Sequence, residues 1–332
     1  MKQKKIPLWG KLGIAAGVVL LIGAAAFFLV QGKLNRISRV DQESAGQNQS
    51  AEEDLDINGM KDKDVINILL IGQDRREGQA RQRSDSMILC SINKARKKII
   101  LTSIMRDLYV PIPGYSDNRI NAAYQFGGMP LLDQVIEESL GVHVDGNVEV
   151  DFEGFVTSMA ALGNLEIELS QAEADYMNRN GDGVEQPDPE GTPWNLKAGV
   201  NALSPSQLLA YSRIRYVGNS DWERTERQRR VLMAAFEKAK KQGLAGMLAL
   251  ADQVFPNLTT DMTNGQILRL LYTVLASGIT EVESYRIPAE GTYTNETLKI
   301  GMEVLVPDLE ENSQALQKWI YGEESISGTE RM

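Results

Sequence analysis

The chain opens with one unbroken apolar segment and then alternates short apolar runs with polar stretches. Leu12 to Val30 is nineteen residues without a charge, rich in Val, Leu, Ile, Ala and Phe, and long enough to cross a bilayer as a helix. A cleaved signal peptide would carry a shorter apolar region ending at a small-x-small site. Ala24–Ala26 followed by Phe27–Val30 does not provide one. The expectation is an uncleaved signal-anchor at 12–30, a cytoplasmic tail at 1–11 and an external body. Lys2, Lys4, Lys5 and Lys11 before the span favour that orientation over Lys33, Arg36 and Arg39 behind it. Residues 31–63 are polar and read as a solvated spacer. Residues 64–325 contain no repeat and read as one domain.

Within that domain, Val65–Ile71 is a continuous apolar run closed by Gly72, the profile of a buried strand. Ser86–Ile92 and Lys98–Ile104 read as two strands joined by the charged turn Asn93–Lys97, a hairpin. Residues 129–140 and 152–162 have helical spacing, with strands at Asn147–Val150 and Leu165–Leu169 on either side of the second helix. Ser204-Pro205 supplies an N-cap and a first-turn proline for a helix through about Tyr211. A long helix spans Asp221–Lys241, with Val231, Leu232, Ala235 and Phe236 as its buried stripe. A helical pair at 243–278, a strand region at 280–294 and a helix at 309–321 complete the reading. This alternation predicts an α/β fold, a layered α-β-α domain around a central mixed sheet.

Charge separates the two ends of the chain. The first 39 residues hold seven Lys/Arg and no acid, which leaves 28 basic against 45 acidic residues in the remainder. A body that acidic excludes non-specific nucleic-acid binding, whose affinity comes from neutralising phosphates. Cys90 is the single cysteine, so no intrachain disulfide can form, and its apolar surroundings read as those of a buried structural thiol. His143 is the single histidine and lies in a loop-like stretch, so a multi-histidine metal site is excluded and a histidine-based triad has this one candidate. Any metal would be oxygen-ligated, which points to magnesium or manganese.

Against this acidic background, Arg213–Arg230 spends six of eighteen positions on arginine and none on lysine. Arginine's rigid fork of donors suits bidentate capture of phosphate or carboxylate, and lysine does not replace it there. Arg213 and Arg215 would share a face if that stretch is extended. Arg224, Arg227 and Gln228 share one face of the following helix, whereas Arg229 and Arg230 point elsewhere and read as surface residues, solvated or paired with Glu226 or Glu237. Asp221 stands where an N-cap is expected. A second group of charges sits at strand ends: Asp74 after the first strand, Arg83 and Asp85 at the start of the next, Arg106 after its partner. If those strands are neighbours, these charges gather at one end of the sheet. Acids and arginines in this combination describe a pyrophosphate site. Asp74 and Asp85 are placed to hold one divalent cation, which usually keeps waters and phosphate oxygens as its other ligands. The arginines would neutralise the diphosphate and the charge developing in phosphoryl transfer.

The same residues carry a family resemblance. Asn67-Ile-Leu-Leu-Ile-Gly-Gln-Asp74, Arg83-Ser-Asp-Ser-Met87, Ser103-Ile-Met-Arg-Asp-Leu-Tyr-Val110, Arg119-Ile-Asn-Ala-Ala-Tyr124 and Tyr211-Ser-Arg-Ile-Arg215 leading to Asp221, Arg224 and Arg227-Gln228 resemble the LytR–CpsA–Psr family in order and spacing. That resemblance implies a membrane-anchored enzyme on the outer face of Gram-positive cells. Such enzymes transfer a phosphate-linked glycopolymer, such as wall teichoic acid or capsule, from a polyprenyl-pyrophosphate carrier to peptidoglycan. By position it implies Asp74 and Asp85 as the metal-linked aspartates, with Mg2+ or Mn2+. It also implies Arg83, Arg106, Arg213, Arg215 and Arg224 as pyrophosphate-binding arginines, with Asp221 and Gln228 as neighbouring site residues. Asp85, Arg106 and Asp221 are the candidate catalytic groups, and Arg227 is a further candidate for the anion site.

Three positions depart from the family pattern. Met105 stands where proline is usual, Asn164 where a second glycine is frequent, and Ala160 where aspartate is frequent. None removes a charged candidate. Two other functions use the same residues: a polyprenyl-pyrophosphate pyrophosphatase with water as acceptor, and a non-catalytic envelope regulator binding anionic wall precursors. A binder needs arginines but not a pair of metal-ready aspartates, which favours catalysis.

Overall fold

The computed structural model describes residues 32–40, 62–73, 82–180, 194–219, 221–279 and 281–322. The apolar segment Leu12–Val30, most of the spacer and Asp74 lie outside the described residues. Among the described residues no helix is long and apolar enough to cross a membrane.

In chain order, β1 (Ser38–Arg39) precedes β2 (Val65–Gln73), β3 (Ser84–Asn93) and β4 (Lys98–Ile104). A small pair, β5 (Tyr109–Val110) and β6 (Asn118–Arg119), leads into α1 (Asn121–Leu140), β7 (Gly146–Asp151) and α2 (Phe152–Leu162). Then come β8 (Leu165–Leu169), α3 (Gln171–Asn180), β9 (Gly199–Leu203), α4 (Pro205–Arg213), α5 (Asp221–Lys241) and α6 (Gly243–Val254). The C-terminal part holds β10 (Thr259–Thr260), α7 (Asn264–Ala276), β11 (Glu281–Ile287), the hairpin β12 (Tyr293–Thr297) and β13 (Glu303–Pro307), and α8 (Leu309–Tyr321).

Seven strands form one mixed sheet in the order β1-β10-β7-β2-β3-β4-β11. The chain turns back twice to make β2-β3-β4 antiparallel, while β7 joins β2 and β11 joins β4 in parallel. Both faces are covered, which explains why the central strands are apolar throughout rather than alternating. Leu69, Ile71, Met87 and Leu89 pack with Leu132, Ile136, Leu316 and Ile320 of α1 and α8. On the other face Ile88, Ile92 and Leu101 meet Leu232 and Phe236 of α5 and Val274 of α7. The layered α-β-α architecture expected from the sequence is therefore present. Cys90 belongs to this second face, only half-buried as a residue, with its thiol pushed up to about 12 by burial.

Several elements differ from the reading of the sequence. The helix expected at 129–140 begins at Asn121; Gly128, at φ 71° and ψ −154°, interrupts it just before Pro130. That Gly-Pro punctuation hides the first two turns from a periodicity reading. β8 does not enter the central sheet but pairs antiparallel with β9. This hairpin, α2, α4 and α5 enclose a second core containing Leu165, Leu203, Leu208 and Val231. β13 was not anticipated, because only Val304–Val306 separates Glu303 from Pro307. Arg213 and Arg215 do not share an extended strand: α4 starts at the capping box of Ser204 and Gln207 and runs two residues past Tyr211, so Arg213 ends the helix and Arg215 lies in the following loop.

Candidate functional site

The antiparallel turn from β2 to β4 brings the end of β2, the start of β3 and the end of β4 to one edge of the sheet, and parallel β7 ends there too. Asp85 stands at this edge on β3. Arg106 stands two residues beyond β4, and its backbone is tied to the next strand through the Met105 amide, which donates to the Ile287 carbonyl at 2.9 Å. Proline, usual at this position in the resembled family, has no N–H for that bond. The substitution at Met105 thus adds an anchor beside Arg106.

Arg106 joins two carboxylates. Its Nη1 donates to Asp85 Oδ1 at 2.9 Å and its Nε to Asp221 Oδ2 at 3.0 Å. Asp221, the first residue of α5, collects two more guanidinium groups: Arg215 Nε at 3.3 Å and Arg224 Nη2 at 3.3 Å. Burial pushes the Asp221 carboxyl up, but Arg224, Arg106 and Arg215 together outweigh it and hold it below the usual carboxylate range. Arg224 responds oppositely. Burial, aided by the charges of Arg215 and Arg106 and opposed by Asp221, lowers it to about 10, and its buried Nε has no hydrogen-bond partner among the described residues. A buried, unpartnered cationic donor is costly unless something anionic reaches it. The cluster is thus short of acceptors, as a phosphate site should be before its ligand arrives.

The remaining candidates divide. Arg83 lies two residues before Asp85 and donates to Gln125 Oε1 at 3.2 Å. Arg213 stands 4.7 Å over the Phe152 ring, which follows the end of β7 at this same edge. No carboxylate pairs with either among the described residues. Gln228 fastens α5, accepting from Ser86 Oγ at 2.9 Å and donating to the Ser212 carbonyl at 3.4 Å. Arg227 is not part of the anion site. Its side chain is 2% exposed and donates to Glu173 Oε1 at 2.7 Å and to the carbonyls of Ile214 and Val217 at 3.1 and 2.9 Å. It therefore pins the loop carrying Arg215 onto α5.

Arg229 corrects the sequence reading. It is buried rather than on the surface, donating to Ser103 Oγ at 2.6 Å and to Ser284 Oγ, and burial lowers it to about 10. The sequence gives no sign of this, because the two hydroxyls come from β4 and β11. Arg230 behaves as expected, half-exposed and paired with Glu226. His143 lies ahead of β7, at the opposite end of the sheet from Asp85, with Nδ1 2.6 Å from Glu137 Oε1.

Asp85 and Asp221 open onto different surroundings. Asp221 lines a cleft of about 490 Å³ with Arg106, Arg119, Arg215 and Trp222, closed on its far side by the β12–β13 hairpin. Sequence reasoning missed that wall entirely. Arg119, quoted only as part of a motif, secures it by donating to the Glu303 carbonyl at 2.9 Å while its Nε sits 3.2 Å from Asp107 Oδ1. Of the two aspartates expected to hold a cation, only Asp85 is among the described residues, and no group of three or more His, Cys, Asp or Glu side chains there could hold a metal. Asp85 still fits a sparse site, since its Oδ2 lies free of the Arg106 contact and magnesium is commonly held by one or two carboxylates plus phosphates.

The fold and site together define an α/β protein with an arginine-lined cleft at one edge of its central sheet. The chain belongs to the LytR–CpsA–Psr family: the model of the LytR_cpsA_psr family matches residues 28–318. It is 31% identical over 293 residues to the polyisoprenyl-teichoic acid–peptidoglycan teichoic acid transferase TagU of Oceanobacillus iheyensis, covering 85% of this chain and 86% of that protein. The regulatory protein MsrR of Staphylococcus aureus is 25% identical over 262 residues, 79% of this chain and 76% of its own length. Among solved structures, "TagT bound to LI-WTA" superposes with a TM-score of 0.63 at 26% identity, over 79% of this chain and 94% of that one.

Proposed function

We propose that the protein is a membrane-anchored phosphotransferase that moves a phosphate-linked glycopolymer from a polyprenyl-pyrophosphate carrier to peptidoglycan outside the cell. The observation that carries this reading is the convergence of Arg106, Arg215 and Arg224 on Asp221, with a buried Arg224 Nε that has no acceptor among the described residues. Similarity to the TagU transferase and to TagT bound to LI-WTA supports the donor class.

In this mechanism an acceptor hydroxyl attacks the phosphorus attached to the glycopolymer. A new P–O bond forms to the acceptor, the bridging P–O bond breaks, and polyprenyl phosphate leaves. Arg106, Arg215 and Arg224 take the diphosphate, with Arg83 and Arg213 at its flanks, and stabilise the charge that builds on the bridging oxygen. Asp221, held below the usual carboxylate range, is a weak base and serves to set the three guanidinium groups. Asp85 carries one guanidinium on one oxygen and a side chain 34% exposed, so its other oxygen is available as a cation ligand, and the acceptor proton passes to a phosphate oxygen and departs with the polyprenyl phosphate. Gln228 keeps α5 in register with β3, and hence Arg224 in the site. A divalent cation, Mg2+ or Mn2+, bound by Asp85 and Asp74 would add neutralising charge on the phosphates.

The pyrophosphatase alternative differs only in using water as acceptor. Product analysis of the full chain in detergent, with lipid-linked donor and with or without peptidoglycan, separates the two. Transfer yields polymer-linked peptidoglycan and polyprenyl phosphate; hydrolysis yields free polymer phosphate whether or not acceptor is present.

A further inference from the structure

The cleft that Asp221 lines has two chemically different walls. One carries Arg106 and Arg215 beside Asp221. The other is the β12–β13 hairpin, which presents Asn295, Glu296, Thr297 and Glu303, all exposed. The single arginine on that side, Arg119, is already engaged by Asp107 and the Glu303 carbonyl. The hairpin is also held firmly. Leu305 donates its amide to the Asp107 carbonyl at 2.9 Å, one residue from Arg106, and Val304 and Leu305 are buried. Trp222, next to Asp221, lines the floor, fixed by the Arg286 guanidinium 3.8 Å over its ring and by Tyr293 of the hairpin at 5.1 Å.

We propose that the hairpin wall is the acceptor subsite, built for a neutral, hydroxyl- and acetamido-bearing glycan strand rather than for the anionic donor polymer. This rests on the transferase reading above and goes beyond it by placing the second substrate. Two carboxylates line this wall and no lysine does, so they repel a phosphate-rich polymer by like-charge juxtaposition. The same carboxylates accept hydrogen bonds from sugar hydroxyls, and Asn295 and Thr297 both donate and accept. The arginine wall has the opposite preference. The donor pyrophosphate is therefore drawn to Arg106, Arg215 and Arg224, its polymer is turned away from the hairpin, and the acceptor enters along Asn295–Thr297 toward the phosphorus. The backbone link from Leu305 to Asp107 sets the distance between the two subsites. The hairpin thus sorts neutral glycan from charged polymer, a specificity device made of repulsion as much as attraction.

The test uses the full chain in detergent and a neutral N-acetylglucosamine tetrasaccharide, read by saturation-transfer NMR and by photo-crosslinking of a diazirine-bearing analogue followed by peptide mapping. The tetrasaccharide is expected to bind and to label residues 293–307. Asn295→Ala with Thr297→Ala, and separately Glu296→Lys with Glu303→Lys, each weaken that binding tenfold or more. Each also raises the ratio of acceptor KM to donor KM by a similar factor. The crosslink map is read on the wild type, so it does not depend on a variant folding. Absence of binding, labelling outside the hairpin, or protection of the hairpin by an anionic glycerol-phosphate oligomer would overturn the assignment. Failure of the transferase reading shows elsewhere, as no polyprenyl phosphate released in any mixture, whether or not sugar binds.

Discussion

Arg106 Nε meets Asp221 Oδ2 at 3.0 Å across 115 residues of chain, joining the end of β4 to the start of α5. The same guanidinium holds Asp85 through Nη1 at 2.9 Å, so one side chain organises both carboxylates of the described site. Arg106→Lys keeps the positive charge but not the fork. The expected result is a folded protein with kcat lower by about 10²–10³, the loss seen when one transition-state donor is removed. Steady-state release of polyprenyl phosphate, with melting measured alongside, checks it.

Arg224 and Arg227 lie three residues apart on one helix and are expected to fail in different ways. Glu173→Gln or Arg227→Gln breaks a fully buried ion pair and should cost about 3–5 kcal/mol of stability. Burial pushes Glu173 up, but Ser170 and Arg227 outweigh it and hold it below the usual carboxylate range. Arg224→Gln should instead leave the melting temperature close to wild type, since it removes a buried cation whose Nε has no partner among the described residues, while lowering kcat/KM for the donor by about 10²-fold or more. Parallel melting and kinetic measurements on these variants distinguish a positioning arginine from a substrate-binding one.

Asp221 gives the site an acid limit. Its folded value lies below the unfolded one, about 3.9, so it stabilises the fold above about pH 4, and that contribution is lost as pH falls through the folded value. Melting curves from pH 7 down to pH 2 should therefore show an acid-labile component that Asp221→Asn removes. An unchanged acid profile in the variant would refute the coupling of Asp221 to its three arginines.

Arg229→Ala should lower stability by about 1.5–3 kcal/mol, the range for hydrogen bonds to a charged group, because it leaves Ser103 and Ser284 without their donor. Arg230→Ala, which loses a half-exposed pair with Glu226 and a hydrogen bond to the Tyr211 hydroxyl at 3.2 Å, should cost less, about 1 kcal/mol. Urea titrations of the two variants check the contrast.

How much of this was legible in the sequence follows from where each partner sits along the chain. Asp85 and Arg106 could be paired from sequence because a hairpin's register is local: β3 and β4 are joined by one short turn, so their far ends meet. Asp221 was legible as a site residue only through motif and resemblance, since its meeting with Arg106 depends on how α5 crosses the sheet edge. Arg227 and Arg229 look alike as letters. Their fates are decided by Glu173 and by the hydroxyls of Ser103 and Ser284, contributed by elements 54, 126 and 55 residues away. The β12–β13 wall was illegible for another reason. Its surface is polar, its apolar run is three residues long, and its position depends on backbone bonds from Leu305 and to Glu303 that leave no side-chain pattern.

The most direct test of the central claim is a single-turnover assay of the full chain in detergent with polyprenyl-pyrophosphate-linked glycopolymer and peptidoglycan. Polyprenyl phosphate and polymer-linked peptidoglycan are measured together. The wild type is expected to form both in equal amounts, and Asp85→Ala and Arg106→Ala to reduce both by 10²-fold or more. Transfer that proceeds unchanged in those two variants would contradict the account.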